Sequence, residues 1–382
     1  MTHNTHTIMI VAGESSGDLL AASVVDAIKT NSPHYTVCGL GGSALAATDT
    51  DMLGDISDLA VMGIWEVLIN YRKIKRVLNH LESELVSRKP ELLILVDYVE
   101  FNLKLAKTAK KLGIKVLFFV SPQVWAWRQG RVKKIGARID MMAVLFPFEV
   151  RFYQEKNVPV RYVGHPMIER VKPAYTHEKG LIKFKVKPGH PVVGLFPGSR
   201  RSEIQYILPI MIKTAALLQE QHPSAQFLLP VASNLSEDYL RTHMGNTELD
   251  IRMVTDHPYD VMQLCDVIMS AAGTANLEIA LMGKPMVVLH RMSVLSYFIL
   301  IRLVTVKLYS LVNIISGKEV VKELIQKNAT PEEALKELSR ILNDSSYRQA
   351  MIEALAEVKK QMGEGGAAKN VARLAELLLS DI

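Results

Sequence analysis

Short apolar runs alternate along the chain with stretches whose apolar residues recur at helical spacing. Apolar, β-rich runs fall at 7–12 (TIMIVA), 92–96 (LLILV), 115–120 (KVLFFV), 141–146 (MMAVLF) and 160–163 (VRYV), and helical patterns at 17–30, 63–87 and 102–112. Strands that are apolar throughout are buried on both faces, so this alternation predicts crossover βαβ units around a parallel sheet. A polar segment with Lys and Pro, 172–191, interrupts the pattern before VVGLF restarts it at 192–196. Further strands are predicted at 226–231, 250–254, 266–270 and 285–289, with helices at 202–221, 258–264 and 274–283. From 331 the chain reads as helical, broken by GEGG at 363–366. The predicted fold class is α/β, with two Rossmann-like domains whose parallel sheets face a central cleft: 1–170, 171–345, and C-terminal helices over 346–382 that pack back on the first domain or on a partner chain.

Composition narrows the class. At 382 residues the chain exceeds the size at which one hydrophobic core stops growing, which agrees with two domains. With 49% hydrophobic and 22% charged residues it is neither disordered nor low-complexity. The net charge of +6 is too small to mark a nucleic-acid binder, but residues 101–138 hold ten Lys or Arg and no Asp or Glu, and should face something anionic. Cys38 and Cys265 form no zinc spacing and no disulfide framework, which fits a reducing, cytoplasmic setting. The N-terminus has no basic region ahead of its short apolar run and reads as a strand. The most apolar stretch, 294–316, contains Arg302 and Lys307, which argues against a simple spanning helix.

In doubly wound sheets ligands sit beyond the carboxyl ends of the strands, so the chemistry is sought there. Gly13-Glu14-Ser15-Ser16-Gly17-Asp18 joins a strand to a helix; it suits a ligand approached by backbone N–H groups, or simply a tight capped turn. Asp97 ends LLILVD, where a rigid, partly desolvated carboxylate can act as a general base or can cap the helix near Asn102. Pro197-Gly198-Ser199-Arg200 opens a helix after the first strand of the second domain, and backbone donors with a forked cation suit a diphosphate. In Ser270-Ala271-Ala272-Gly273-Thr274-Ala275-Asn276-Leu277-Glu278, a carboxylate follows a small-residue turn and could accept both hydroxyls of a ribose, or cap its helix. A nucleotide would explain the last two segments together.

Trp125-Ala126-Trp127-Arg128 lies inside the basic stretch. On the helical pattern from 63, Ile64, Val67, Leu68, Tyr71, Ile74, Leu78 and Leu81 share one face, while Trp65 and Ile69 fall off it among Arg72, Lys73 and Arg76. Such a surface suits lipid headgroups and acyl chains better than nucleic acid, since no nucleic-acid-binding motif accompanies it; a plain solvated basic face is the alternative. His165, in Gly164-His165-Pro166 on the domain border, could line the cleft or be structural. No metal-ligand cluster is evident.

A two-domain α/β chain with a nucleotide-diphosphate site and a carboxylate base resembles the GT-B glycosyltransferases. The strings VAGESSGDLLA at 11–21, AVMGIWEVL at 60–68, VDYVEFN at 96–102, SPQVWAWRQGRVKKI at 121–135, GHPM at 164–167, PGSRRSEI at 197–204, AAGTANLE at 271–278 and SLVNIISGKEVVKELIQ at 310–326 resemble the lipid-A-disaccharide synthase family from about residue 8 to about residue 360. The resemblance implies an inverting transfer from UDP-2,3-diacylglucosamine to 2,3-diacylglucosamine 1-phosphate, giving a β-1,6 disaccharide phosphate and UDP, with no cofactor or metal. It implies Asp97 as the base for the acceptor 6-hydroxyl and Asn313 as an active-site residue. Gly198, Ser199, Arg200, Gly273, Thr274 and Glu278 would hold UDP, and Glu14, Ser15, Gly17, Glu100 and His165 would line the acceptor side. Both substrates are lipids, so Trp65, Ile69, Arg72, Lys73 and Arg76 are expected to face the cytoplasmic surface of the inner membrane, with no nucleic-acid partner and with a homodimer possible.

The chain departs from the family pattern twice. The family often has DxPDFN where Asp97-Tyr98-Val99-Glu100-Phe101-Asn102 stands, which leaves the role of Glu100 open, and SLPNL where Val312 replaces the proline before Asn313. The competing expectations are another UDP-sugar enzyme of this fold, such as a UDP-N-acetylglucosamine 2-epimerase or a polar-acceptor transferase, and a non-enzymatic nucleic-acid module using 101–138.

Overall fold

The computed structural model describes residues 6–59, 71–127, 129–303 and 308–380. The chain forms two compact units, Met1–Pro166 with Glu364–Ile382, and Met167–Gly363.

The first unit is built on seven parallel strands: β1 Thr7–Ala12, β2 Thr36–Gly41, β3 Asp51–Asp55, β4 Leu92–Val96, β5 Lys115–Phe119, β6 Met141–Val144 and β7 Val160–Tyr162, in the order β3-β2-β1-β4-β5-β6-β7. Successive side chains point to opposite faces, so each apolar run feeds two cores. Ile8, Ile10, Ala12, Leu92, Ile94 and Val96 pack with the helices Ser15–Asn31 and Ala367–Ser380. Met9, Val11, Leu93 and Leu95 pack on the other face with Leu81 and Leu85 of the helix Tyr71–Arg88 and with Phe101 and Leu105 of the helix Val99–Lys111. The C-terminal helix therefore completes the first unit, whereas the helices Pro331–Asn343 and Ser345–Gln361 belong to the second.

The second unit repeats the plan with β8 Val192–Phe196, β9 Gln226–Val231, β10 Ile251–Thr255, β11 Val267–Ala271, β12 Met286–His290 and β13 Lys322–Ile325, in the order β10-β9-β8-β11-β12-β13. The apolar stretch 294–316 contains the helices Val294–Leu303 and Leu311–Ser316, and no helix among the described residues is long and apolar enough to cross a membrane.

Strands β2, β3 and β13 escape the periodicity. In β2 the run TVCGLG is diluted by glycines, and Gly39 is needed because a Cβ there would lie 2.0 Å from the Ile10 carbonyl oxygen. The edge strands β3 and β13 are only partly buried and carry charged residues. Trp125 also departs from expectation: it is buried, edge-on to Phe148 at 4.9 Å between ring centroids, and serves the core.

Candidate active site

In each sheet the strand order reverses once, between β1 and β4 and between β8 and β11, and such a reversal opens a crevice at the carboxyl ends. In the first unit Ala12 pairs with Val96, so the residues immediately following, Gly13 and Asp97, leave neighbouring strand ends together. Asp97 and Tyr98 take φ of 50° and 41°, a left-handed turn that swings the chain into the helix Val99–Lys111. Two bonds hold that turn: the Asn102 amide donates to the Val96 carbonyl at 3.2 Å and to the Asp97 carbonyl at 2.7 Å. The Tyr98 ring lies over Gly13, where a Cβ would meet it at 2.3 Å.

Burial raises the Asp97 carboxyl above its ordinary value, opposed by a hydrogen bond from the Tyr98 backbone. Glu14 precedes the helix Ser15–Asn31, and its carboxyl is raised by partial desolvation first and by the charge of Asp97 second. The turn after β1 thus carries a carboxylate whose ionisation is disfavoured by the charge of Asp97 in the turn after β4. Ser15 is exposed, and Gly17 is buried, its missing Cβ 3.6 Å from Val96.

In the second unit Phe196 pairs with Ser270, and the turns Pro197–Arg200 and Ala272–Thr274 follow. Gly198 has φ 98°, and a Cβ there would lie 2.2 Å from the Glu203 carboxylate. Glu203 Oε2 accepts from the backbone N–H groups of Ser199 at 3.2 Å and Arg200 at 3.1 Å, and its Oε1 meets the Arg200 guanidinium at 3.1 Å. Backbone donors, a helix N-terminus and an arginine therefore already converge on an anion, which is the chemistry a phosphate uses. Asn234 fixes the turn by donating to the Ser199 carbonyl at 2.9 Å. Opposite, Gly273 and Thr274 are exposed at the start of the helix Thr274–Leu281, with open space beside Gly273. Buried Asn276 sets that turn by donating to Ser270 Oγ and the Ala271 carbonyl and by accepting from Gly273 N–H. One turn on, Glu278 Oε1 accepts from Tyr259 Oη at 3.0 Å and from Arg170 at 3.1 Å.

The remaining expected residues lie as follows. Glu100 is exposed and ion-paired with Arg131 of the basic stretch. His165 is half-buried with its ring against Phe146 at 5.1 Å. Asn313 is fully buried: its Oδ1 accepts from Val320 and Val321 N–H, and its Nδ2 donates to the Val321 carbonyl and to Glu323. Its amide ties the helix Leu311–Ser316 to the chain leading into β13. Arg72, Lys73 and Arg76 are exposed on the helix Tyr71–Arg88, Lys73 pairing with Asp58 at 3.0 Å. Trp65 and Ile69 lie outside the described residues. Sequence reasoning passed over the supporting roles of Asn102, Glu203, Asn234, Asn276, Tyr259 and Arg170; of these, only the Arg200-to-Glu203 spacing at a helix start carries a local signal.

Two doubly wound sheets, each gathering its polar side chains where strand order reverses, define a GT-B type α/β fold. The fold matches a UDP-GlcNAc 2-epimerase of Neisseria meningitidis solved with UDP-GlcNAc (TM-score 0.64, 14% identity, 98% of this chain and 100% of that one) and MurG of Acinetobacter baumannii (TM-score 0.59, 14% identity, 98% and 99%). Sequence decides among enzymes of this fold. The family described as lipid-A-disaccharide synthetase matches residues 8–375, and the lipid-A-disaccharide synthase of Geobacter sulfurreducens is 45% identical over 373 residues, 97% of each chain. The chain belongs to the lipid-A-disaccharide synthase family of glycosyltransferases, and the epimerase-like and nucleic-acid-binding alternatives are not favoured.

Proposed function

We propose that the chain joins UDP-2,3-diacylglucosamine to 2,3-diacylglucosamine 1-phosphate, with inversion, releasing UDP. Asp97 removes the proton from the acceptor 6-hydroxyl as that oxygen attacks the anomeric carbon and the bond to UDP breaks. The observation that carries this role is the Asp97 carboxyl itself, anchored at a buried strand end in an Asn102-braced turn and raised by burial towards the basicity a general base needs. Glu14, Ser15 and Gly17 border it, with Glu100 and His165 on the acceptor side.

Gly198, Ser199 and Arg200 take the diphosphate in place of the Glu203 carboxylate, Gly273 and Thr274 lie beside it, and Glu278, oriented by Tyr259 and Arg170, takes the ribose hydroxyls. Asn313 acts through the Ser310–Glu323 region as a positioning residue. Inversion by direct attack needs no covalent intermediate.

Because both substrates are acylated, the enzyme works as a peripheral protein on the cytoplasmic face of the inner membrane, through Trp65, Ile69, Arg72, Lys73 and Arg76. UDP release from UDP-2,3-diacylglucosamine that depends on the diacylated acceptor supports the reaction; epimerisation or hydrolysis of non-acylated UDP-N-acetylglucosamine with no response to that acceptor overturns it. Trp65→Ser with Ile69→Ser is expected to reduce vesicle binding, and unchanged binding removes the docking assignment.

A further inference from the structure

The second unit carries a groove whose lining includes none of the residues assigned to UDP above. It runs along the helix Arg201–Gln221, past the end of β12 and the segment before Pro331, and encloses about 710 Å³. Tyr206, Ile210 and Met292 give it an apolar wall, Lys213, Arg291 and Lys327 supply cations, and its lining contains no carboxylate. All three cations are exposed, and among the described residues none is ion-paired. Gln326 fixes one side of the groove, accepting from Met292 N–H at 2.8 Å and donating to its carbonyl at 3.2 Å. Three unneutralised cations around one concavity favour an anion.

The groove continues into an exposed apolar face. Val294 lines the groove and opens the helix Val294–Leu303, on which Val294, Phe298 and Ile301 are 82%, 53% and 44% exposed. Spacings of four and three residues put them on one face. Arg302 borders that face, its guanidinium 3.4 Å from the Phe298 ring centroid. A free phosphate would account for the cations and leave the apolar face unexplained. A phospholipid accounts for both, with its phosphate among the cations and its chains against the helix.

We propose that this surface docks on anionic phospholipid of the bilayer, giving the second unit a membrane contact of its own. The proposal rests on the reading that the substrates are acylated lipids met at a membrane, but it can fail separately. The test measures co-flotation with phosphatidylcholine vesicles, with and without phosphatidylglycerol. Each surface lysine is worth about fivefold in affinity for an anionic membrane, so Lys213→Gln with Lys327→Gln should weaken binding to the phosphatidylglycerol vesicles roughly 25-fold and leave binding to pure phosphatidylcholine unchanged. Val294→Ser with Phe298→Ser should weaken both. Binding of either pair to phosphatidylglycerol vesicles at the wild-type level overturns the proposal. Because Cys38 and Cys265 are buried, Phe298→Cys can be labelled selectively with an environment-sensitive fluorophore. Its emission should shift to the blue on phosphatidylglycerol vesicles, and an unshifted spectrum also overturns the proposal. Turnover of detergent-dispersed substrates should persist in both variant pairs; its absence from the wild type would instead sink the reaction assigned above.

Discussion

Asp97 holds a left-handed conformation that costs a non-glycine residue about 1–3 kcal/mol, and the Asn102 amide offsets that cost through two backbone carbonyls. Its identity was legible because a carboxylate closing an apolar strand is conspicuous; its brace was not, because a side chain reaching back to Val96 is fixed only once strand and helix have packed. The same holds at Arg200, where the basic turn could be read but the Glu203 carboxylate seated on its amides could not. Arg200 is 78% exposed, so its pairing with Glu203 contributes little to stability. Arg200→Ala should therefore leave the melting temperature of the free protein within the effect of about 1 kcal/mol. It should abolish most of the stabilisation by UDP, which for the wild type reaches about 2.7 kcal/mol at a hundredfold excess over Kd. Differential scanning fluorimetry with and without UDP separates the two effects, and an undiminished UDP shift in the variant would remove Arg200 from the phosphate site.

Glu149 gives a pH signature. Buried under the turn after β5, it accepts from Phe146 N–H at 3.0 Å, and burial pushes its carboxyl up to about 7 despite hydrogen bonds from Phe146, Ser121 and Trp125. Between its ordinary value of 4.5 and about 7 the unfolded chain releases this proton while the folded chain keeps it, so stability falls as pH rises through that window and is flat above it. The loss attributable to this group is about 3 kcal/mol at one unit per 1.36 kcal/mol. Glu149→Gln keeps an acceptor for Phe146 and should flatten the decline in urea midpoints across that window.

At the scale of elements, strands buried on both faces were readable as continuous apolar runs, whereas β2, β3 and β13 were not, because glycine or partial exposure broke the run. Glycine in β2 answers to a neighbouring carbonyl, and Gly13 answers to the Tyr98 ring; neither neighbour is close in sequence. Gly13→Ala should destabilise the protein by about 1–3 kcal/mol, and adding Tyr98→Ala should recover part of that loss, since the two sites share one contact. Additive losses in the double variant would show that the clash is not the cause.

The long-range closure of the first unit by its last helix was only half legible: helices were expected after 346, but one of them, Ser345–Gln361, stays with the second unit, and only Ala367–Ser380 returns. Val371, Ala375, Leu378 and Leu379 cover the face that Ile8 and Ile10 present. Each such Val or Leu side chain is worth about 1.5–3 kcal/mol when buried, so truncation before Ala367 should unfold the first unit while the second persists. All three tryptophans lie in the first unit, and their fluorescence should report the loss while helical circular dichroism is partly retained. Intact tryptophan emission after truncation would contradict it.

For the molecule as a whole, the alternation of strand and helix conveyed two doubly wound units before any contact was known, and the strand order of each unit reverses once, where its candidate residues follow the strand ends. The net charge of +6 conveyed little. What charge contributes is local, in the cations at 101–138 and in the groove beside Val294, and Glu100 shows that part of the basic stretch is satisfied internally by its pair with Arg131. The division of labour between the units, a base in one and an anion-binding turn in the other, is the central claim. It is tested most directly by acceptor-dependent UDP release from UDP-2,3-diacylglucosamine, measured across pH for the wild type and for Asp97→Asn. The wild type should lose activity as acid protonates a carboxyl raised above the usual aspartate value, and Asp97→Asn should fall by about 10²–10⁴ in kcat with UDP binding intact. Turnover by Asp97→Asn near the wild-type rate, with the same acid limb, would contradict the account.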